Sequence, residues 1–299
     1  MEAPLQQLHH PLLKEQNLEL WIKREDLLHP AISGNKWRKL KYNLQEAKRQ
    51  QKSTLLTFGG AYSNHIAAVA AAGEEFGFRT IGIIRGIEHL PLNPTLHLAA
   101  AQGMELHYVA REVYRRKSEA DFLQALSQQF QEPYILPEGG TNSLAVKGCT
   151  EIITDIALEY DYLCCASGTG GTLAGLIAGL EGEKQVLGFP ALKGGDFLQQ
   201  EIEELIRNYN GKQYFNWQLI TDYHFGGYAK VKPELLAFMQ EFTKQHQVPL
   251  DPVYTGKMMF GVFDLLRKGY FASGSRLVAV HTGGLQGKAG FRERLGLKV

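Results

Sequence analysis

The chain has 299 residues, of which 44% are hydrophobic and 21% are charged, and its formal net charge is +1. This composition is typical of a globular protein with enough chain for two lobes and an ample core. A nearly neutral chain has no overall positive field to attract nucleic acid or an anionic membrane, so the composition argues against both partners. No stretch approaches the about 18 apolar residues that span a membrane.

Short apolar segments alternate with longer helical patterns along the chain. Strands that alternate with helices at this spacing predict βαβ units and a mostly parallel sheet buried on both faces. The predicted strands lie at 53–58, 80–85, 105–110, 133–138, 161–166, 185–191, 214–220 and 276–281. The predicted helices lie at 66–76, 94–102, 117–131, 144–158, 172–180, 196–210, 232–247 and 258–269.

The order of these elements predicts an α/β fold with two lobes. The first four predicted strands and their helices suffice for a small open sheet, and a glycine-rich turn follows the fourth strand. We expect a small α/β domain over 46–147 and a large domain formed by 1–45 and 148–299. Because ligands of open α/β sheets bind beyond the carboxyl ends of the strands, the site is expected between the lobes.

The cysteines and the amino terminus bear on the compartment. Cys149, Cys164 and Cys165 are odd in number and lack the spacing of metal ligands, so we expect core-filling thiols and no metal. The amino-terminal residues lack the apolar core of a signal peptide. A cytoplasmic protein is therefore expected.

A glycine-rich stretch, SGTGGTLAGLIAGL at 167–180, follows the fifth predicted strand. A strand, a loop of serine, glycine and threonine, and then a helix place backbone N–H groups at a helix amino terminus, where they bind phosphate. The stretch matches neither the nucleoside-triphosphate P-loop nor the dinucleotide pattern G-x-G-x-x-G. We expect a single phosphomonoester, and the alternative is a tight turn without a ligand. The candidate residues are Gly168, Thr169, Gly170, Gly171 and Thr172.

A second polar turn follows the first predicted strand, in GGAYSNHIAAVAAAG at 59–73. Ser63, Asn64 and His65 occupy the turn between that strand and its helix. At the carboxyl end of a buried strand they are expected to face the same cleft as the glycine-rich loop. The alternative is that Ser63 or Asn64 only caps the helix.

The stretch SGNKWRKLKYNL at 33–44 places three lysines at the start of a predicted helix. Lys36 and Lys39 are three residues apart and share one helix face. The core face is expected to hold Trp37, Leu40, Leu44 and Ala47, which leaves Arg38 and Lys41 facing solvent. A lysine at a helix start, a phosphomonoester site and a polar strand end together match pyridoxal phosphate held as a Schiff base.

Five segments resemble one family of pyridoxal-phosphate enzymes, and they occur in the family's order. They are KREDLLHPAISGNKWRKL (23–40), GGAYSNH (59–65), SGTGGTLAG (167–175), DPVYTGKMMFGVFDLL (251–266) and HTGG (281–284). The family is fold type II, the tryptophan-synthase-β-like enzymes, in the branch of D-cysteine desulfhydrase and 1-aminocyclopropane-1-carboxylate (ACC) deaminase. The resemblance implies two open parallel-sheet domains, each a three-layer αβα sandwich, with the cofactor between them, and a homodimer.

The resemblance also implies roles for the two lysines and for the residues of the second polar turn. Lys36 is expected to form the Schiff base and to move the substrate's Cα proton. Lys39, with the glycine-rich loop, is expected to bind the cofactor phosphate. Asn64 is expected to bind the cofactor's ring oxygen and the substrate, and Ser63 and His65 to meet the substrate carboxylate and amine, Ser63 also as a catalytic residue.

Two tyrosines and a threonine complete the implied site. Tyr254, and Tyr228 in the less closely matching segment HFGGYAK, resemble the family's active-site tyrosines, with catalytic and substrate-binding roles. Thr255 stands where ACC deaminases carry a glutamate that keeps the cofactor's ring nitrogen protonated. Its hydroxyl is expected to hydrogen-bond a neutral nitrogen, which suits a weaker electron sink.

The residues at 255 and 65 favour one reaction within the branch. Opening the ring of ACC, which has no α-hydrogen, needs a strong electron sink, whereas removing an α-proton and expelling a good leaving group does not. His65, where the deaminases typically show glutamine, favours the same choice. We expect α,β-elimination from a D-amino acid such as D-cysteine, giving pyruvate, ammonia and sulfide through an aminoacrylate. The alternatives are ACC deamination, elimination from another amino acid such as serine and, in another class, a non-catalytic protein that binds a phosphorylated metabolite.

Overall fold

A computed structural model describes the backbone of residues 2–295 and the side chains of residues 2–291 and 293. The strands in this range are β1 (Leu5–Leu8), β2 (Glu19–Lys23), β3 (Thr54–Gly59), β4 (Arg79–Arg85), β5 (Met104–Val109), β6 (Tyr134–Leu136), β7 (Tyr162–Ser167), β8 (Gln185–Pro190), β9 (Trp217–Leu219) and β10 (Arg276–Val280).

The helices alternate with these strands over most of the chain. They are α1 (Pro11–Glu15), α2 (Asn35–Arg49), α3 (Asn64–Phe76), α4 (Pro94–Ala101), α5 (Arg111–Tyr114), α6 (Ala120–Gln129), α7 (Ser143–Thr154), α8 (Gly171–Leu180), α9 (Leu198–Asn210), α10 (Pro233–His246), α11 (Thr255–Arg267) and α12 (Lys288–Leu295). Within the described range, none of the helices combines the length and the apolar character needed to cross a membrane.

The strands form two sheets. The smaller sheet has the order β5-β4-β3-β6, and all of its strand pairs are parallel. The larger sheet has the order β1-β2-β10-β7-β8-β9, and only its edge strand β1 runs antiparallel to its neighbour. The predicted α/β fold with parallel sheets is confirmed. The eight predicted strands correspond to β3 to β10, whereas β1 and β2 were not predicted.

The larger sheet is buried on both faces because its strands are apolar at nearly every position. In β10, Leu277 and Ala279 face a core shared with α10 and α11, and Val278 and Val280 face a core shared with α7, α8 and α9. Successive side chains of a strand point to opposite faces, so an uninterrupted apolar strand requires helices on both sides. The three cysteines are free and buried in these cores, as expected.

Helix α2 joins the two halves of the structure. Its residues Leu40, Leu44 and Ala47 are buried in the hydrophobic cluster that covers the smaller sheet, as the spacing predicts. Trp37 is half-buried and stacks on His29. The predicted domain limit between residues 45 and 46 falls inside this helix, and the division into 46–147 and the rest of the chain stays a prediction.

The expectation that Arg38 faces solvent is wrong. Its side chain is buried, and it donates to the two carboxylate oxygens of Glu25 at 2.9 and 3.0 Å and to Asp155 at 2.5 Å. Glu25 is itself completely buried. Lys41 is half-buried and pairs with Glu151 at 2.7 Å. Arg38 and Lys41 therefore belong to an ion network with Glu25, Asp155 and Glu151 and not to a basic surface.

Candidate active site

The first turn of α2 is held against the turn that follows β10 and against the first turn of α8. Gly34 precedes the helix with φ of 68°, and a Cβ there would lie 2.0 Å from the carbonyl oxygen of Thr282, in the turn after β10. The Asn35 backbone N–H donates to that same oxygen at 3.1 Å. The Asn35 side chain donates to Thr172 Oγ1, in the first turn of α8, at 2.7 Å. Position 34 accepts only glycine because both its backbone conformation and its contact exclude a side chain.

Lys36 follows in this turn as a half-buried amine. Burial disfavours its charged form and lowers its pKa from 10.5 to about 8, with a small opposing effect of Cys149. At pH 7 about one such amine in ten is uncharged, against about one in three thousand for an ordinary lysine. The structure therefore supplies what a nucleophilic lysine needs.

Lys39 lies one helical turn further on and faces the glycine-rich loop. It is buried and donates to Thr141 Oγ1 at 2.7 Å, and this hydroxyl shares a 2.6 Å hydrogen bond with Thr169 Oγ1. A Cβ on Gly171 would lie 3.1 Å from Lys39 Nζ. Burial and the neighbouring Lys36 hold the pKa of Lys39 well below its usual range. Such an amine is short of a negative partner, which a phosphate would supply.

The loop itself has the geometry of a phosphate site. β7 ends at Ser167, and Gly170, with φ of 74°, directly precedes α8. The first N–H groups of α8 have no partner within the helix. Ser167 Oγ is buried and has no hydrogen-bond partner among the atoms that the structure describes. A Cβ on Gly168 would lie 3.0 Å from the ring of Tyr254, so the glycines leave room that side chains would fill.

At the second polar turn, Ser63 caps α3. Its Oγ accepts from the backbone N–H groups of His65 and Ile66 at 3.2 and 3.3 Å. The capping alternative for Ser63 is therefore present in the structure. The neighbouring Asn64 begins the helix, and its side-chain oxygen accepts from Gln286. A Cβ on Gly284 would lie 3.0 Å from Asn64 Nδ2, which places the amide beside the turn after β10.

His65 points inward as a neutral imidazole. Thr57 Oγ1 lies 2.9 Å from His65 Nε2 and donates its single proton to the carbonyl of Leu136 at 3.0 Å. Nε2 must then carry the ring proton, so Nδ1 is an acceptor, and it has no partner among the residues that the structure describes. Burial, with Lys36 and Lys39, lowers the pKa of His65 well below 6.5. Any group that approaches Nδ1 has to donate a hydrogen bond.

The two candidate tyrosines meet across the cleft. Tyr254 Oη donates to Tyr228 Oη at 3.4 Å, and the rings lie edge to face with centroids 6.1 Å apart. Burial and Tyr228 raise the pKa of Tyr254 well above 10, so the phenol is neutral at physiological pH. Tyr228 is 46% exposed and lies at the open side of the pair.

Thr255 is buried and bound to Asp251 on both sides. Its Oγ1 donates to Asp251 Oδ2 at 2.6 Å and accepts from the Asp251 backbone N–H at 2.9 Å. A Cβ on Gly284 would lie 3.3 Å from Asp251 Oδ2 and 3.0 Å from Asn64 Nδ2, so this pair adjoins the second polar turn. Because the hydroxyl proton is already donated, Thr255 keeps one lone pair and can only accept from a further partner. The expected bond to a neutral ring nitrogen would therefore require Thr255 to give up its bond to Asp251.

The structure thus brings most of the predicted residues into two connected groups. Lys39 and the glycine-rich loop form one group with Thr172, while Asn64 and Thr255 form the other around Gly284. Tyr254 approaches Gly168 and so connects the tyrosine pair to the loop. The motifs did not indicate Thr141 or Asp251. Thr141 lies in the turn EGGTNS, whose glycines were the available signal, and Asp251 opens the segment DPVYTGK.

Two parallel sheets with a glycine-rich loop and a pair of lysines at their junction define an α/β enzyme that uses a phosphorylated cofactor. The chain belongs to the family of pyridoxal-phosphate-dependent enzymes, because the family model described as "Pyridoxal-phosphate dependent enzyme" matches residues 2–283. The expected fold type and cofactor are thereby confirmed. No cluster of three or more histidine, cysteine or acidic side chains suited to a metal occurs among the described residues.

Several named proteins are similar to this chain over nearly its whole length. A Pyrococcus horikoshii protein named "Putative 1-aminocyclopropane-1-carboxylate deaminase" is 31% identical, covering 98% of this chain and 93% of its own. The bifunctional D-cysteine desulfhydrase/ACC deaminase of Arabidopsis thaliana is 32% identical, covering 90% and 73%. A solved structure of an ACC deaminase homologue is 30% identical with a TM-score of 0.87, covering 99% of this chain and 93% of its own. Both activities of the branch expected from the sequence, D-cysteine desulfhydrase and ACC deaminase, occur among the names of these relatives.

Proposed function

We propose that this enzyme catalyses the α,β-elimination of D-cysteine to pyruvate, ammonia and sulfide. The observation that carries the proposal is the amine of Lys36, whose pKa is lowered to about 8 and which lies on one helix with a second buried lysine that faces the glycine-rich loop. A nucleophilic lysine one turn from a phosphate site is the arrangement that a phosphorylated aldehyde requires.

The residues around Lys36 fit pyridoxal phosphate. Lys39, the unpaired hydroxyl of Ser167 and the first N–H groups of α8 would hold its phosphate. Lys36 would hold it covalently, and Asn64 would bind its ring oxygen. When bound, the cofactor withdraws electrons from the substrate's Cα and so makes the proton on that carbon acidic.

The chain's own groups would perform the proton transfer. Once the substrate's amine has displaced Lys36, the uncharged Lys36 Nζ would accept the Cα proton, the Cα–H and Cβ–S bonds would break, and sulfide would leave. The resulting 2-aminoacrylate takes up water and gives pyruvate and ammonia. The neutral Tyr254 keeps its phenolic proton at physiological pH and can give it to the departing sulfur. The unpaired lone pair of His65 Nδ1 would accept from the substrate's ammonium group.

Two observations favour D-cysteine over ACC. Position 255 holds a threonine and not the glutamate that keeps the ring nitrogen protonated in ACC deaminases. The preference rests on this missing glutamate, because the Thr255 proton is donated to Asp251. Proteins named D-cysteine desulfhydrase also occur among the relatives; that of Serratia proteamaculans is 29% identical and covers 89% of this chain. ACC deamination to 2-oxobutanoate and ammonia is the second candidate, and the names of the Pyrococcus protein and of the solved homologue favour it.

A substrate panel tests the choice. The purified enzyme, loaded with pyridoxal phosphate, is supplied with D-cysteine, L-cysteine, D-serine or ACC, and pyruvate and 2-oxobutanoate are measured separately. We expect pyruvate from D-cysteine to form fastest. Turnover of ACC without turnover of D-cysteine would refute the choice of substrate.

A second measurement tests the cofactor attachment independently of any substrate. The visible absorbance band of protein-bound pyridoxal phosphate should be present in the wild type and absent in Lys36→Ala. Lys41→Ala is the matched control, because Lys41 lies on the same helix but pairs with Glu151 outside the site, and it should keep the band.

We propose further that the enzyme is a cytoplasmic homodimer. The free, buried thiols support a reducing compartment, and the dimer rests on the family resemblance. Size-exclusion chromatography with light scattering, together with fractionation of the source cells, tests both statements.

A further inference from the structure

Lys257 is a buried lysine that the proposed reaction does not use. It lies on α11, three residues after Tyr254, and is 2% exposed. Its Nζ donates to three backbone carbonyls, those of Gly227 at 2.8 Å, His224 at 2.9 Å and Ala191 at 3.2 Å. An ammonium has three N–H donors, so each donor has one carbonyl partner.

This arrangement replaces the carboxylate that a buried lysine usually pairs with. No carboxylate lies within salt-bridge distance of Lys257 Nζ among the residues that the structure describes. Burial lowers its pKa to about 8, which still leaves most of the amine charged and able to donate three hydrogen bonds at pH 7. Burying such a charge is costly, so the three carbonyls must offset a large part of that cost.

Two of the three carbonyls, those of His224 and Gly227, belong to the loop 224–229, whose backbone is unusual. From residue 225 to 229, two glycines and two non-glycine residues have positive φ: Phe225 at 54°, Gly226 at 95°, Gly227 at 120° and Ala229 at 54°. Positive φ is unfavourable in residues other than glycine and persists only where the surroundings hold it in place. Lys257 bonds two carbonyls of this loop, and those bonds supply that restraint.

The loop carries one of the two candidate tyrosines. Tyr228 follows Gly227 directly, and its hydroxyl lies 3.4 Å from that of Tyr254. Tyr254 directly precedes α11, and Lys257 lies in the first turn of that helix, so one short segment positions both members of the tyrosine pair. The third carbonyl belongs to Ala191. The Ala191 N–H donates to the backbone carbonyl of Ser167, at the start of the glycine-rich loop.

We propose that Lys257 is a positioning residue, which holds the loop 224–229 through its three carbonyl bonds and thereby places Tyr228 against Tyr254. The ammonium acts as a tethered monovalent cation in a cage of backbone oxygens. The consequence for turnover rests on the proposed function, whereas the consequence for the loop does not.

Hydrogen exchange of the loop in the holoenzyme tests the positioning directly. Lys257→Met keeps much of the volume and removes the donors, and we expect the amides of residues 224–230 to exchange about tenfold faster or more, because buried acceptors are left unpaired. Lys23→Met is the matched control. Lys23 is equally buried and also donates to two carbonyls, of Ala3 and Asp155, and its loss should leave exchange in 224–230 unchanged.

Kinetics separate positioning from general loss of stability. The double variant Lys257→Met/Tyr228→Phe should lose no more kcat than the larger of the two single losses, because both changes act through one hydroxyl. Lys257→Gln keeps two donors, so its kcat should lie between that of the wild type and that of Lys257→Met. Should the Met variant fail to fold, the Gln variant carries the same exchange and kinetic comparisons.

A small cation should restore what the side chain supplied. In Lys257→Ala, added n-propylammonium replaces the missing chain and charge and should restore kcat and slow exchange in the loop, whereas propanol should do neither. Unchanged loop exchange in the Met and Gln variants, or full additivity in the double variant, would overturn the proposal. If the wild type is inactive on every substrate but the loop of Lys257→Met still exchanges faster than that of the wild type, the proposed function is refuted and this inference stands.

Discussion

Replacing Arg38 by methionine should destabilise the enzyme strongly. Arg38 donates two hydrogen bonds to Glu25, and the exposed fractions of the two side chains are 4% and 0%. Removing the arginine leaves the carboxylate of Glu25 buried without its cation. The loss of one partner of a buried ion pair costs about 3–5 kcal/mol, which is a large part of the roughly 5–15 kcal/mol by which a folded protein is stable.

The same helix offers a matched control. Arg49 makes two hydrogen bonds to Glu46 at 2.7 Å each, but its side chain is 73% exposed. Water solvates both charges when this pair is broken, so Arg49→Met should leave the unfolding midpoint nearly unchanged. Both variants remove an arginine that donates two hydrogen bonds to one carboxylate; they differ in burial and in the additional bond of Arg38 to Asp155.

Urea unfolding followed by circular dichroism measures both effects. A double variant, Glu25→Met/Arg38→Met, should be more stable than Arg38→Met because it removes the uncompensated charge together with its partner. A loss below about 1 kcal/mol in Arg38→Met, or a double variant whose loss is the sum of the two single losses, would show that the pair does not behave as a buried pair.

Three further predictions concern the cofactor site. Covalent uptake of pyridoxal phosphate should rise nearly tenfold per pH unit below about 8 and level off above it, because only the uncharged amine of Lys36 reacts; stopped-flow absorbance measures this, and a pH-independent rate would contradict it. Lys39→Met should weaken the affinity for pyridoxal phosphate by about tenfold to a hundredfold through the loss of a charged hydrogen bond, with Lys41→Met unaffected in the same equilibrium titration. Thr141→Val should also weaken it, by less, because it removes the hydroxyl that links Lys39 to Thr169; equal affinity in the wild type and Thr141→Val would show that this link plays no part.

The fold could be predicted from the sequence where local patterns carry the information. Strands β3 to β10 are apolar segments followed by helices, and all eight were predicted. Strand β2 was missed because its partner β10 lies about 250 residues further along the chain, and the edge strand β1, which pairs with β2 alone, was missed with it. The pairing of Glu19 with Arg276 leaves no trace in the periodicity of either segment.

The site shows the same division between local and distant information. The motifs identified Lys36, Lys39 and the glycine-rich loop as candidates, and their roles stay predictions. Arg38 was misplaced because charge alone suggests solvent, while its partners Glu25 and Asp155 lie 13 and 117 residues away. Thr141 was not predicted as a site residue for a similar reason. A threonine in a turn is common, and only its contact with Lys39 distinguishes it.

The long-range pairing of β2 with β10 also determines the order in which the enzyme can be built on the ribosome. All strands of the smaller sheet lie within residues 54–136, so that sheet can form while the chain is still growing. The larger sheet cannot be completed until residues 276–280 have emerged, because β10 pairs with β2. The turn against which Gly34 packs emerges later still. A translation product that stops short of this turn contains the candidate lysines Lys36 and Lys39 but lacks the contact that holds the start of α2. We therefore expect the ability to bind the cofactor to arise only in the last steps of synthesis.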